Sequence, residues 1–158
     1  MAHRNSNQTF PYLDLRLDRF TDFLKLKKEN RTEYIWDPLR KKYLILQPEE
    51  FVRQLLIRFL HQEFEIPLIR MSSEHGVKLF STKKRCDLVV FNRDGSILLL
   101  AECKSYKRLD SLVTMEQIEN YNLALQTDNL LITNGPKTLF FSRANQEERF
   151  QSRDEMIL

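Results

Sequence analysis

The stretch that decides the fold is CDLVVFNRDGSILLLAECK, residues 86–104. Two runs rich in large apolar residues flank the segment 92–95, and its Asp-Gly pair is typical of a β-hairpin. Five consecutive apolar residues, 97–101, indicate a strand that is buried on both faces. These residues therefore predict two antiparallel strands at the centre of a sheet.

The second of these strands ends in charged residues. Glu102 and Lys104 are two positions apart, so their side chains point to the same face of the strand. A two-residue loop puts Asp87 directly opposite Glu102, whereas a four-residue loop puts it opposite Leu100, one diagonal step away. Both registers bring Asp87, Glu102 and Lys104 together. Two neighbouring carboxylates repel each other unless one is protonated or a cation lies between them, and hard oxygen ligands with room for water suit Mg²⁺.

Elements on either side of this hairpin predict an α+β or mixed α/β domain with a sheet at its centre. The apolar residues of 48–62 recur at helical spacing, and acidic residues precede them in the first turn. From Arg143 onward the chain is polar, which indicates a helix or a loose segment. The other expected elements are a hairpin at 33–46, a strand after residue 67, a helix at 114–126, and a hairpin formed by 130–133 and 138–142.

Length and composition limit the class of protein. A chain of 158 residues, 42% of them apolar and 30% charged, fits one folded domain and not a disordered segment. No run approaches the roughly 18 apolar residues of a membrane span, and the polar first residues lack a signal-peptide core, so we expect a cytoplasmic protein. Cys86 and Cys103 are too few for a disulfide framework or a Cys-rich zinc site, and we expect free thiols.

Positive charge is concentrated in two places, although the net charge is only +3. Residues 25–42 carry seven basic and three acidic side chains, a local net charge of +4. A second cluster is Lys83-Lys84-Arg85. Clustered positive charge suits a polyanion such as nucleic acid, although a solvated surface is the commoner origin of such runs.

The order of these features resembles the PD-(D/E)XK nuclease superfamily, in which an Asp is followed, after a variable gap, by Glu-x-Lys. Many members carry an acidic residue on the preceding helix, and helical spacing indicates Glu49 on its inward face, with Glu50 rotated by about 100°. Gln117 and Tyr121 stand at i and i+4, so they share one helix face. This pair is similar to the Gln-x-x-x-Tyr motif of RecB-type nucleases.

Five short strings narrow the resemblance to the N-terminal nuclease domain of type I restriction enzyme R (HsdR) proteins. It covers residues 33–142, with an extension at 1–32 that is helical or loose and a tail at 143–158. It implies an α/β, restriction-endonuclease-like core with a central mixed β-sheet flanked by helices. Three glycines leave no Gly-x-x-x-x-Gly-Lys phosphate loop, so this chain has no ATP-driven motor. The strings are PEEFVRQ at 48–54, KRCDLVV at 84–90, AECK at 101–104, QIENYN at 117–122 and ITNG at 132–135.

The same resemblance implies a metal-dependent DNA endonuclease that hydrolyses phosphodiester bonds. Mg²⁺, with Mn²⁺ able to substitute, is expected on Asp87, Glu102 and the backbone carbonyl of Cys103, with Glu49 binding directly or through water. Lys104 would orient or help deprotonate the attacking water, or offset charge near the phosphate. A lysine with an ordinary pKa of about 10.4 is a poor base at neutral pH.

Accessory and DNA-binding residues follow from the same resemblance and from the position of positive charge. Gln117 and Tyr121 are expected to position the metal-site residues or to contact the DNA backbone. The residues expected to contact phosphates are Lys83, Lys84, Arg85, Lys107 and Arg108, and such contacts carry little sequence specificity.

Other functions stay open at the level of sequence. One is a non-catalytic nucleic-acid-binding module that keeps the fold, and another is a junction resolvase or repair nuclease on the same core. A structural or interaction domain with a buried ion cluster is a third, and it would show no metal dependence. The expected partner is DNA, with helicase or restriction–modification subunits and a homodimer as candidates, and with no membrane contact.

Overall fold

Two β-sheets and one α-helix make up most of the structure, a computed structural model that describes residues 10–79, 82–107, 127–143 and 150–158. A 3-10 helix (Leu17–Phe23) precedes strands β1 (Leu26–Glu29), β2 (Thr32–Asp37) and β3 (Lys42–Ile45), helix α1 (Pro48–Glu63) and a 3-10 turn (Leu68–Arg70). Strands β4 (Met71–Leu79), β5 (Thr82–Phe91), β6 (Ile97–Cys103), β7 (Asn129–Thr133), β8 (Thr138–Ser142) and β9 (Gln151–Arg153) follow.

The central sheet has six strands in the order β4-β5-β6-β7-β8-β9. Strands β6 and β7 are parallel, and the other neighbours are antiparallel. Parallel neighbours need a long crossover connection, and the chain between β6 and β7 includes the helix expected at 114–126, which lies outside the described residues. The mixed sheet with helix α1 confirms the expected α/β class.

The hairpin β5–β6 has the register that a two-residue loop requires over most of its length. Leu88 lies opposite Ala101, and Val90 lies opposite Leu99, before a shift between Val90 and Phe91. This register runs from Leu88 to Val90, and Asp87 lies one residue beyond its last pair. Of the two registers that the sequence left open, these strands have the one of the two-residue loop, and Asp87 contacts β6 through a side-chain hydrogen bond from the Cys103 N–H.

Both faces of β6 are buried, as the apolar run 97–101 predicts. Leu99 and Ala101 belong to the cluster that packs against α1, together with Leu56. Leu100 belongs to the cluster on the opposite face, together with Phe141. Because β6 is fixed from both sides, the residues at its end have a defined position.

The expected hairpin at 33–46 and helix at 48–62 are confirmed by β2, β3 and α1. Two expectations of helical or loose structure need correction. Within 1–32, Leu26–Glu29 forms strand β1 and pairs with β2; in the tail, Gln151–Arg153 forms strand β9 and pairs with β8. The division of the chain at residues 33 and 142 stays a prediction.

Candidate functional site

Helix α1 begins beside a polar pocket, and its first turn carries two carboxylates. Glu50 is buried whereas Glu49 is exposed, although both line the pocket. The expected orientation of this turn, with Glu49 inward and Glu50 outward, is therefore wrong. Glu50 lies one turn before Arg53 and Gln54, which are also buried, so this side of the helix turns inward. A metal-binding role for Glu49 stays a prediction.

Arg53 and Gln54 hold Glu50 in place. Both carboxylate oxygens of Glu50 accept hydrogen bonds from the Arg53 guanidinium, and Oε1 also accepts one from Gln54 Nε2 at 3.0 Å. Burial by itself lowers the pKa of Arg53, but the hydrogen bond and charge of Glu50 outweigh it, so the pKa lies above its ordinary value. Arg53 is therefore a fixed positive charge in the wall of the pocket.

The turn between β2 and β3 supplies a second arginine. Asp37 is fully buried and accepts hydrogen bonds from the backbone N–H groups of Leu39 and Arg40 at 2.8 and 3.2 Å, and from Arg40 Nε at 2.9 Å. Held in this way, Arg40 Nη2 lies 3.4 Å from Glu74 Oε1 and 3.9 Å from Glu50 Oε2. Arg40 thus connects the turn to the pocket wall through its charge interactions with Glu50 and Glu74.

This network of Asp37, Arg40, Glu50, Arg53 and Glu74 is absent from the sequence-based site. The signal was an Asp-Pro turn followed by an arginine, close before the string PEEFVRQ. In the sequence, Arg40 is only one of the positive charges of 25–42, for which nucleic-acid binding and a solvated surface both stay open. Its position becomes clear only from the contact with β4, which is remote in sequence.

On the sheet side of the pocket, Asp87 is tied to the neighbouring strand. Its Oδ2 accepts a hydrogen bond of 2.7 Å from the backbone N–H of Cys103. Burial, the largest effect, raises the pKa of Asp87, and nearby Glu102 raises it further, against lowering by the Cys103 N–H, Arg53 and Lys104. The surroundings of Asp87 therefore stabilise its negative charge less than water does.

Glu102 and Lys104 form the expected same-face pair at the end of β6. Lys104 Nζ lies 3.6 Å from Glu102 Oε2, and Glu102 is buried. The backbone N–H of Lys104 donates to Thr133 O at 2.7 Å, which fixes this strand end against β7. The structure thus brings Asp87, Glu102 and Lys104 close enough for the charges of the last two to act on the first.

The pocket between α1 and the strands has a volume of about 220 Å³. Its lining includes Glu49, Glu50, Glu74, Arg53, Asp87 and Cys103. Most of these groups are polar or charged, and four are acids. A pocket of this kind suits an ion or a small charged group and not an apolar ligand.

Both cysteines are buried and neither forms a disulfide, as the sequence predicts. Cys103 packs with the cluster under α1, whereas Cys86 packs with the cluster on the other face of the sheet. Burial raises the pKa of the Cys103 thiol well above its ordinary value, and the charge of Asp87 adds to this effect. Cys103 therefore stays a neutral thiol, and it contacts Asp87 through its backbone N–H.

The donor set fits a hard divalent cation. In the described parts of the chain, no group of three or more His, Cys, Asp or Glu side chains is arranged so that it could hold a metal ion. Mg²⁺, however, is commonly held by one or two carboxylates, with water and substrate phosphate completing its octahedral shell. Asp87 and Glu102 provide two carboxylates, and burial is the main reason that the pKa of Asp87 is raised.

The remaining expected site residues are only partly described. Lys83, Lys84 and Arg85 lie on β5, where their backbone pairs with β4. Lys107 places its Nζ 6.0 Å from the ring centroid of Tyr106. Arg108, Gln117 and Tyr121 lie outside the described residues, so their roles stay predictions.

A mixed α/β sheet whose adjacent central strands carry an Asp and a Glu-x-Lys, beside an acidic pocket, defines a restriction-endonuclease-like core. The sequence model of the type I restriction enzyme R protein N terminus family matches residues 48–156. The chain belongs to this family, which links it with restriction–modification. No curated protein and no solved structure matches the chain.

No helix in the described ranges is long and apolar enough to cross a membrane.

Proposed function

We propose that the chain is a metal-dependent DNA endonuclease module of the restriction R-subunit type. The observation that carries this proposal is the 2.7 Å hydrogen bond from the Cys103 N–H to Asp87. It fixes the Asp of one strand beside the Glu-x-Lys of the next, at the edge of an acidic pocket. Membership of the restriction enzyme family supports the same conclusion.

Asp87 and Glu102 would hold Mg²⁺ or Mn²⁺, with the backbone carbonyl of Cys103 and with Glu49 directly or through water. A bound divalent metal supplies charge stabilisation at phosphorus and a water of lowered pKa. Arg53 favours the ionised form of Asp87, because its charge lowers a pKa that burial raises. Glu50 in turn holds Arg53 by its two hydrogen bonds, so it is a positioning residue.

Lys104 acts as a cation beside Glu102 in this proposal. Its ammonium, 3.6 Å from Glu102 Oε2, offsets the negative charge that builds on the phosphate and orients the attacking water. The Lys104 side chain is 30% exposed, so DNA has access to it. Expected partners are DNA and restriction–modification or helicase subunits, with a homodimer as a further proposal.

Cleavage of supercoiled and branched DNA with Mg²⁺ or Mn²⁺ tests the proposal. We expect Lys104→Ala to abolish cleavage while leaving the fold and metal binding intact, because a partly exposed lysine contributes little to stability. Asp87→Ala should lose metal binding and cleavage together. Lys137→Ala, a lysine on the β7–β8 connection, is the control and should cleave as the wild type does. Cleavage that survives both site substitutions at full rate would contradict the site.

A non-catalytic nucleic-acid-binding module is the second candidate, and one observation favours it. The buried helix carboxylate, Glu50, is occupied by Arg53 and Gln54, which leaves the described site with fewer carboxylates for a metal. Such a module would bind DNA, and neither Mg²⁺ nor Mn²⁺ would change its melting temperature. A metal-dependent shift in melting therefore separates the two functions.

A further inference from the structure

The small sheet β1-β2-β3 has one face turned inward and one turned outward. Ile35 and Asp37 of β2 are fully buried on the inner face. Because side chains alternate along a strand, Tyr34 and Trp36 point the other way. The register pairs Lys27 with Tyr34 and Trp36 with Tyr43. We call the outer side the aromatic face; it comprises Lys27, Glu29, Tyr34, Trp36, Tyr43 and Ile45.

Aromatic rings and one ammonium group lie in contact on this face. The ring centroids of Trp36 and Tyr43 are 5.2 Å apart, in an edge-to-face arrangement. Lys27 Nζ lies 5.3 Å from the ring centroid of Tyr34 and 4.5 Å from that of Tyr43. Tyr43 is 37% exposed and Ile45 58% exposed. Tyr34 and Trp36 are half-buried, and a cluster of three rings with an exposed member is unusual for a sheet surface that contacts only water.

Charge around the aromatic face indicates the kind of partner. Residues 25–42, which include β1 and β2, carry a local net charge of +4. A polyanion is attracted to such a surface, whereas a protein partner would need its own acidic patch. Aromatic rings combined with positive charge are the groups that bind single-stranded nucleic acid, since unpaired bases stack on rings and lysines contact the phosphates.

We propose that the aromatic face binds single-stranded DNA, with bases stacking on Trp36 and Tyr43 and with a phosphate on Lys27. Unpaired bases are required because, in a duplex, the base faces are already stacked on each other. This inference rests on the proposed function only in taking DNA as the ligand. It needs neither the metal nor the pocket at Asp87.

The proposal predicts that the Glu29 carboxylate competes with a DNA phosphate for Lys27. Lys27 Nζ donates to Glu29 Oε1 at 2.7 Å, and the Glu29 side chain is 59% exposed. A phosphate on Lys27 has to displace this carboxylate or be repelled by it. The neutral variant Glu29→Gln should therefore bind single-stranded DNA more tightly than the wild type.

Intrinsic fluorescence provides a direct test, because Trp36 is the only tryptophan in the chain. The full chain in EDTA is titrated with oligothymidylate of about 12 nucleotides, within the usual range of site sizes. We expect saturable quenching of Trp36. Tyr43→Ala should weaken binding by roughly fivefold or more, Tyr43→Phe should retain it, and Lys27→Ala should weaken it and make it less dependent on salt.

A matched control is present elsewhere on the chain. Tyr12 is 43% exposed, and Lys137 Nζ lies 5.0 Å from its ring centroid, so it is an aromatic–lysine pair outside the aromatic face. Tyr12→Ala should bind as the wild type does. Absence of quenching, equal quenching by a duplex of the same length, or equal losses in Tyr12→Ala and Tyr43→Ala would overturn the proposal.

The experiments give different results if the single-stranded DNA proposal is wrong and if the nuclease proposal is wrong. Metal-dependent cleavage without quenching in EDTA would reject the aromatic face alone. Quenching with the expected variant pattern, but without cleavage in Mg²⁺ or Mn²⁺, would reject the nuclease alone. Tyr43→Phe guards against misfolding, because it removes only a hydroxyl group and keeps the ring.

Discussion

Asp87 is the side chain on which the site depends most. It accepts the Cys103 N–H, faces Arg53 across the pocket and has Glu102 on the next strand. Burial and Glu102 raise its pKa, because both disfavour the negative charge of the carboxylate. In its ionised form, such a carboxylate contributes less to folding stability than an amide of the same shape would. A bound cation would stabilise its negative charge.

Asp87→Asn should therefore raise the melting temperature of the metal-free protein at neutral pH. The folded-state pKa is above the unfolded one, so the folded state binds more protons between the two values, and stability falls as pH rises through this interval. The Asn oxygen can still accept the Cys103 N–H. Melts at several pH values should show the difference at pH 7 and its loss below the ordinary carboxyl pKa of about 3.9.

Asp94→Asn is the control with the opposite sign. Asp94 is exposed, and hydrogen bonds from Ser96 lower its pKa. Its charge therefore stabilises the fold above the unfolded pKa, and that contribution is lost as pH falls through the folded pKa. Asp94→Asn should not raise the melting temperature at neutral pH. Equal shifts in the two variants would contradict the role assigned to burial at Asp87.

Divalent metal should stabilise the wild-type protein and have little effect on Glu102→Gln. Binding to the folded state alone adds stability in proportion to the logarithm of the metal concentration, and it relieves repulsion between Asp87 and Glu102. Thermal melts with and without millimolar Mg²⁺ or Mn²⁺ measure the effect. An equal shift in the wild type and in Glu102→Gln would place the metal elsewhere.

At the scale of elements, the β2–β3 turn links the small sheet to the pocket. Asp37 has no exposed surface, and it holds Arg40 by a hydrogen bond of 2.9 Å. Arg40 in turn contacts Glu50 on α1 and Glu74 on β4. The buried carboxylate of Asp37 on β2 thus connects this strand, through Arg40, with α1 and β4.

Asp37→Ala should destabilise the protein by about 3 kcal/mol, because it leaves the half-buried Arg40 and two backbone N–H groups without their acceptor. Urea unfolding measures the free energy of unfolding. Glu33→Ala on the same strand is the control, since Glu33 is exposed and such substitutions change stability by about 0.5 kcal/mol or less. Similar losses in both variants would show that the turn does not depend on Asp37.

Local patterns predicted α1 and the strand pairs β2–β3, β5–β6 and β7–β8, because periodicity and turn residues mark them. They did not predict β1, a short edge strand whose lysine-rich sequence, Leu26–Glu29, lacks apolar alternation. The apolar stripe of α1 did not fix its first turn either, so Glu49 was preferred over Glu50. The link from Asp37 to Arg40, Glu50 and Glu74 depends on contacts remote in sequence, which no local pattern contains.

At the scale of the molecule, residues 13–20 contact the central sheet and α1. Leu13 exchanges two backbone hydrogen bonds with Thr138 of β8, at 2.7 and 3.0 Å. Leu17 and Phe20 are buried against α1, and the ring centroids of Phe20 and Phe59 are 6.1 Å apart. Residues before β1 therefore help to hold α1, and with it the pocket, on the sheet.

Phe20→Ala should cost about 3–5 kcal/mol of stability, as expected for deletion of a buried ring that leaves a cavity. Phe23→Ala provides a close comparison: Phe23 lies in the same 3-10 helix but is 49% exposed, whereas Phe20 is 4% exposed. Its loss should be smaller, since only about half of Phe23 is removed from water in the folded state. Urea unfolding of both variants measures the difference. A nearly unchanged Phe20→Ala would mean that the residues before 33 are an extension and that the domain begins with the small sheet. A large loss would place the start of the folded unit before the 3-10 helix, so nuclease assays would need a chain that retains it.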